Sequence, residues 1–121
     1  EKREAVPAGE LAHCIRESLI YLTQYGVVCA MHQEGEGCVS SRNVQAAYDF
    51  FEDCLEAALP SLSALMVRVE CGECFSIRLM MEEVAGLPNA EKYGTLGKLT
   101  IDDADGVLCA TLSLDRGGEH A

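Results

Sequence analysis

The sequence predicts an α+β fold: a two-layer sandwich in which one mixed, mostly antiparallel sheet carries its helices on one face. Three observations predict it. Residues 8–24 and 40–59 repeat apolar side chains at helical spacing. The C-terminal half reads as two hairpins, the first from two runs that alternate apolar and polar residues and the second from two runs around a strong turn signal. A single strand, 27–32, separates the helices, so the order is helix, strand, helix, hairpin, loop, hairpin.

In the first helix Leu11, Ile15, Leu19 and Leu22 recur after Pro7, a residue suited to a helix start. Gly26 stops it. "VVCAMH" reads as the strand, and "QEGEGCVSS" as a turn-rich loop. Ser40 or Ser41 can cap the second helix, and Pro60 closes it. Its expected apolar side is Val44, Tyr48, Phe51, Leu55 and Leu59. Leu65, Val67 and Val69 share one face of 64–70; Phe75, Ile77, Leu79 and Met81 share one face of 75–82. "CGEC" turns between them. "EEVAGLPNAEKYG" breaks the pattern. The second hairpin, 97–102 and 107–114, turns at Asp105-Gly106. The tail "DRGGEHA" is expected to fray.

A chain of 121 residues suffices for one domain with a real core. Its net charge of −11 argues against nucleic acid as partner, because phosphate binding needs a basic face. It argues equally against direct contact with an anionic membrane. No apolar run approaches the ~20 residues a spanning helix needs. No signal peptide is visible, and the start "EKREAVP" reads as a domain excised from a larger chain. The seven cysteines are odd in number and scattered, which suits structural thiols in a reducing compartment.

The second helix raises a question of chemistry. Asp49, Glu52, Asp53 and Glu56 lie three, four and seven residues apart, on one stripe. Like charges one turn apart repel by a few tenths of a kcal/mol. Either the stripe is a solvated face, or some of these acids point into a site.

The runs "YDFFEDCLEAALPSLSALMVRVE", "FSIRLMMEEVAGLP" and "YGTLGKLTIDDADGVLCATLSL" resemble the C-terminal ATP-binding domain of sensor histidine kinases, the fold shared with gyrase, heat-shock chaperone and MutL-type ATPases. The resemblance spans residues 11–114. It implies a first box on the second helix, with Glu52 as catalytic base and Glu56 at the position of a magnesium-binding Asn. It implies a second box at "EEVAGLP", where Glu82 replaces the adenine-reading Asp, Val84 stands at the first glycine, and Gly86 is kept. Gly94 and Gly97 of "YGTLGKL" match the glycine pair opening the strand after the lid; the lid itself is missing. A β-branched residue does not take positive φ cheaply, and Glu56 adds negative charge where a triphosphate would lie.

Two further motifs carry weaker chemistry. Cys71 and Cys74 form a C-x-x-C, half of a zinc site or a redox pair, but in a hairpin turn and with only Cys29 and His32 as a second pair. His13 lies inside the first helix and is followed by Cys14 rather than an acid, so it reads as an ordinary surface histidine.

Three readings follow. In the first, this is a degenerate ATPase-like domain of a two-component sensor histidine kinase. It holds no cofactor, belongs to the cytoplasmic part of a membrane-bound sensor, and docks a helical dimerisation and phosphoacceptor domain of the same protein and a response regulator. In the second, an active domain binds ATP and magnesium through Glu52, Glu56, Glu82, Gly86, Gly94 and Gly97 and phosphorylates a partner histidine. In the third, it is a zinc- or redox-responsive module using Cys71 and Cys74.

Overall fold

The structure, a computed structural model, describes residues 5–84 and 86–116. Its elements are β1 (Ala5–Pro7), α1 (Ala8–Thr23), β2 (Val28–Glu34), β3 (Cys38–Ser40), α2 (Ser41–Ala58), β4 (Ala64–Cys71), β5 (Cys74–Glu82), a 3-10 helix (Pro88–Thr95), β6 (Lys98–Ala104) and β7 (Val107–Asp115).

Five strands form the main sheet in the order β2-β4-β5-β7-β6. Only β2 and β4 run parallel, joined by the long crossover that contains α2. The other neighbours are antiparallel, so the sheet is mixed as predicted. Alternation decides which face meets the helices. Leu65, Val67, Val69 and Cys71 of β4, Phe75, Ile77, Leu79 and Met81 of β5, and Leu108, Ala110, Leu112 and Leu114 of β7 are all buried. Leu11, Ile15, Leu19 and Leu22 of α1 close the core from the helix side. A register slip of one residue would turn each strand's apolar set outward.

Three segments differ from expectation. Part of the "QEGEGCVSS" loop is β3, which pairs antiparallel with β1 and buries Val6 and Val39 together. Three residues carry no legible period, and only a distant partner makes them a strand. The pattern-breaking segment after β5 contains the 3-10 helix, which begins at Pro88 and buries Ala90 and Tyr93. At the C-terminus, Asp115 and Arg116 do not fray. The Arg116 carbonyl accepts from Ser40 N (2.7 Å), its guanidinium donates to the carbonyls of Cys38 and Gly72, and the Asp115 carbonyl accepts from Asn43 Nδ2 (2.7 Å). The rest of the predicted frayed tail, 117–121, lies outside the described residues.

Local signals behave as their chemistry dictates. Ser40 caps α2, its hydroxyl accepting from Asn43 N at 3.1 Å. Asp105 and Gly106 both take positive φ, as a tight turn between antiparallel strands requires. Among the described residues, no helix is long and apolar enough to cross a membrane.

Gly35 joins β2 to the segment before β3 at φ +84, and a Cβ there would meet the Cys71 carbonyl oxygen at 2.0 Å. Gly35→Ala combines an unfavourable left-handed backbone with a clash against main chain. It is expected to lower unfolding free energy by about 2 kcal/mol or more, measured by urea denaturation.

Candidate functional site

The candidate site is the outward side of α2 and what packs beside it. The buried stripe of α2 is Ala47, Phe50, Phe51, Cys54 and Ala58; of the expected line through Val44, Tyr48, Phe51, Leu55 and Leu59, only Phe51 is fully buried. Val44, Tyr48 and Leu55 are half-buried flanks, and Leu59 is exposed. The helix is turned by roughly 85° from the expected orientation at about 100° per residue. Both phenylalanines are fully buried, and burying each is worth roughly 1.5–3 kcal/mol. That outweighs any preference of the polar side.

This rotation sorts the four acids. At about 100° per residue, Asp49 and Glu56 point almost directly away from the core. Glu52 and Asp53 lie on opposite sides of that outward direction, with Asp53 the nearer to the core. Glu52 is exposed and lies on the α1 side, where it hydrogen-bonds the Tyr48 hydroxyl and so raises the Tyr48 pKa, with partial burial adding to the rise. Asp53 lies on the other flank, facing the 3-10 helix.

Asp53 is the hub of a polar cluster between α2 and the 3-10 helix. The Tyr93 hydroxyl donates to Asp53 Oδ2 at 2.5 Å, and Lys92 Nζ lies 3.2 Å from the same oxygen. The Tyr93 ring is buried and meets Phe50 edge-on at 5.3 Å between centroids, a favoured aromatic geometry. The Tyr93 hydrogen bond, aided by Lys92, holds the Asp53 carboxyl below the usual aspartate range against the opposing effect of burial. Burial, then Asp53, pushes Tyr93 upward, so its proton stays on and the donor is permanent. Burial likewise pushes the neighbouring Cys54 thiol up to about 12, which makes it an inert core residue. Sequence spacing left Asp53 on the solvated face; its link to Tyr93, forty positions away, has no local signal.

The other predicted positions do not converge on this cluster. Glu56 is exposed. Glu82 is exposed on β5 and shares the outer sheet face with Arg78 and Met80, away from α2. Val84 is buried, and Gly86 and Gly94 face open space. Gly97 has a packing role: a Cβ there would stand 2.3 Å from the Ser113 carbonyl oxygen. Cys71 is buried while Cys74 is exposed, so the C-x-x-C does not present two thiols to one point. Among the described residues, no three His, Cys, Asp or Glu side chains are grouped closely enough to hold a metal ion. His13 is exposed and 3.4 Å from Glu17 one turn on. A surface cavity of about 570 Å³ lies at the opposite end of the sheet, lined by Glu34, Glu70, Glu73 and Cys74 among others.

No family model and no curated protein matches this chain. Solved structures do. The nucleotide-free catalytic domain of histidine kinase ThkA superposes with a TM-score of 0.64 at 10% identity, covering 98% of this chain and 100% of that one. The chain has the histidine kinase ATPase-like fold. The cytoplasmic segment of histidine kinase QseC gives 0.66 at 12% identity over 93% of this chain and 77% of that one. Histidine kinase AdeS of Acinetobacter baumannii gives 0.64 at 8% over 98% and 70%. A complex of histidine kinase ThkA with response regulator protein TrrA also matches, at 0.60 and 11% identity over 93% and 41%. On this histidine kinase-like fold, α2 is the helix to which the resemblance assigned the first box. The 3-10 helix stands in the connection where the lid was expected.

Asp53 ionises more readily folded than unfolded, so its contribution to stability is full above the ordinary aspartate range and is lost as pH falls through the depressed folded value. Asp53→Ala is expected to destabilise the domain by about 1–3 kcal/mol at pH 7. The gap from wild type should narrow progressively below about pH 4. Urea titrations of both proteins across pH check this; a gap independent of pH would assign the loss to packing alone.

Proposed function

We propose that this chain is an ATPase-like domain of a two-component signalling protein that has lost nucleotide and acts by docking. Its partners in this reading are the helical dimerisation and phosphoacceptor domain of the same protein and a response regulator, in the cytoplasm. The observation that carries it is the Asp53–Tyr93–Lys92 cluster. The half-buried carboxylate of α2 is already satisfied by two donors from the 3-10 helix, and Phe50 anchors the tyrosine. A carboxylate so engaged is less available to magnesium, and Lys92 already has an anionic neighbour.

Other features support the same reading. The connection 83–97 is short and partly buried through Val84, Leu87, Ala90 and Tyr93, which leaves little chain for a lid of phosphate-binding amides. Asp49, Glu52 and Glu56 all carry exposed carboxylates on the outward arc of α2, a field that disfavours a triphosphate. The residues present therefore do not fit ATP and magnesium. The match to a kinase–regulator complex makes a response regulator the natural partner to test.

Calorimetric titration with ATP, with and without magnesium, separates the readings. The expected result is no heat up to millimolar ATP and no rise in melting temperature. Magnesium-dependent binding that weakens in Glu56→Ala would establish the active alternative instead, with Glu52 as base and Glu56 on the metal.

A further inference from the structure

Among the described residues, no helix covers the second face of the main sheet, and its side chains form ordered rows. Register places Val28, Ala64, Glu82, Val107 and Ala104 in one row across five strands. The next row is Ala30, Met66, Met80, Cys109 and Asp102, and the third His32, Arg68, Arg78, Thr111 and Thr100. The first two rows are mostly apolar and open: Val28 is 71% and Met66 43% exposed. Arg68 is committed to Glu34 and Glu70. Arg78 is not: among the described residues its side chain bonds only the Thr111 hydroxyl, at 3.2 Å.

The charges on β5 have a symmetry, while Asp102 stands at the β6 end of the middle row, at the margin of the face. On β5, Arg78 and Glu82 stand two residues either side of Met80, all three on this face. Each is about 6.7 Å from Met80 along the strand. An acidic partner would be repelled by Glu82 and a basic one by Arg78. The complement is a surface with the same charges in reverse order, which this face supplies when turned over.

We propose that the outer sheet face is an isologous interface between two copies of this chain. The two-fold axis runs across the strands through the Met66–Met80–Cys109 row. Met66 and Met80 then meet their own copies, and Arg78 of each protomer meets Glu82 of the other, twice. Facing sheets stack about 10 Å apart and cross at about 30°, an offset the long arginine side chain spans. Methionine suits such a contact because its flexible thioether adapts to its own copy. The patch is about 24 Å by about 20 Å, the size of a weak interface rather than a permanent one. This inference goes beyond the docking reading and does not depend on whether nucleotide binds.

Sedimentation equilibrium of the 121-residue chain, from about 10 µM to about 1 mM, tests it at physiological salt, where screening limits the general repulsion between two acidic chains. A reversible dimer is expected. Arg78→Glu and Glu82→Arg should each raise its dissociation constant about tenfold or more, and Met80→Asp should abolish it. The double variant Arg78→Glu/Glu82→Arg should recover dimerisation, with circular dichroism confirming that every variant folds. A monomer throughout would overturn the proposal, as would a dimer indifferent to Arg78→Glu and Met80→Asp, or a folded double variant that does not recover. A monomer whose Met66 and Met80 methyl resonances shift on adding a separate helical domain would place another protein on the face and also overturn it. An ATP-binding result, of either sign, leaves these expectations unchanged.

Discussion

The structure depends on how the buried stripe of α2 seats against the sheet. Ala47, Phe50, Phe51, Cys54 and Ala58 are all fully enclosed. Small residues at 47, 54 and 58 let the helix approach closely, and the two aromatic rings fill the space between them. Close packing tolerates little rotation, because voids and overlaps both cost free energy. Once that stripe is seated, the direction of every other side chain on α2 follows. The four acids do not choose their surroundings; the phenylalanines choose for them.

From that rotation comes the character of the site. One flank meets α1 through Tyr48 and Glu52, while the other meets the 3-10 helix through Asp53. The fold gives α2 an outward edge beside the connection that holds the 3-10 helix. Here the chain occupies its own edge. Tyr93 brings a ring to Phe50 and a hydroxyl to Asp53, and Lys92 adds a charge. Each contact is modest alone. Together they satisfy a half-buried carboxylate that would otherwise be costly to desolvate. The fold is held here by side chains of α2 and the 3-10 helix together, and fold alone does not decide function.

The two faces of the sheet tell complementary stories. The inner face of β4, β5 and β7 is an unbroken apolar layer. The outer face carries an apolar band bordered by charges whose order reverses about Met80.

Much of the fold was legible in the amino-acid sequence by itself. Period-two alternation located β4 and β5, and Asp105-Gly106 located the turn before β7. Pro7 and Gly26 bounded α1, and Ser40 marked the start of α2. These signals are local: a strand's pleat, a turn's positive φ and a helix's first turn each act over a few residues. Tertiary structure decided the rest. β1 and β3 are strands only because each has the other, the 3-10 helix is held by contacts to α2 and β6, and Arg116 is fixed by carbonyls from β3 and from the turn between β4 and β5. The site shows the divide most sharply. Spacing put Asp49, Glu52, Asp53 and Glu56 on one stripe, but a helix wheel has no origin until its core face is known. Packing supplied that origin, and it singled out Asp53, whose partner lies forty residues away.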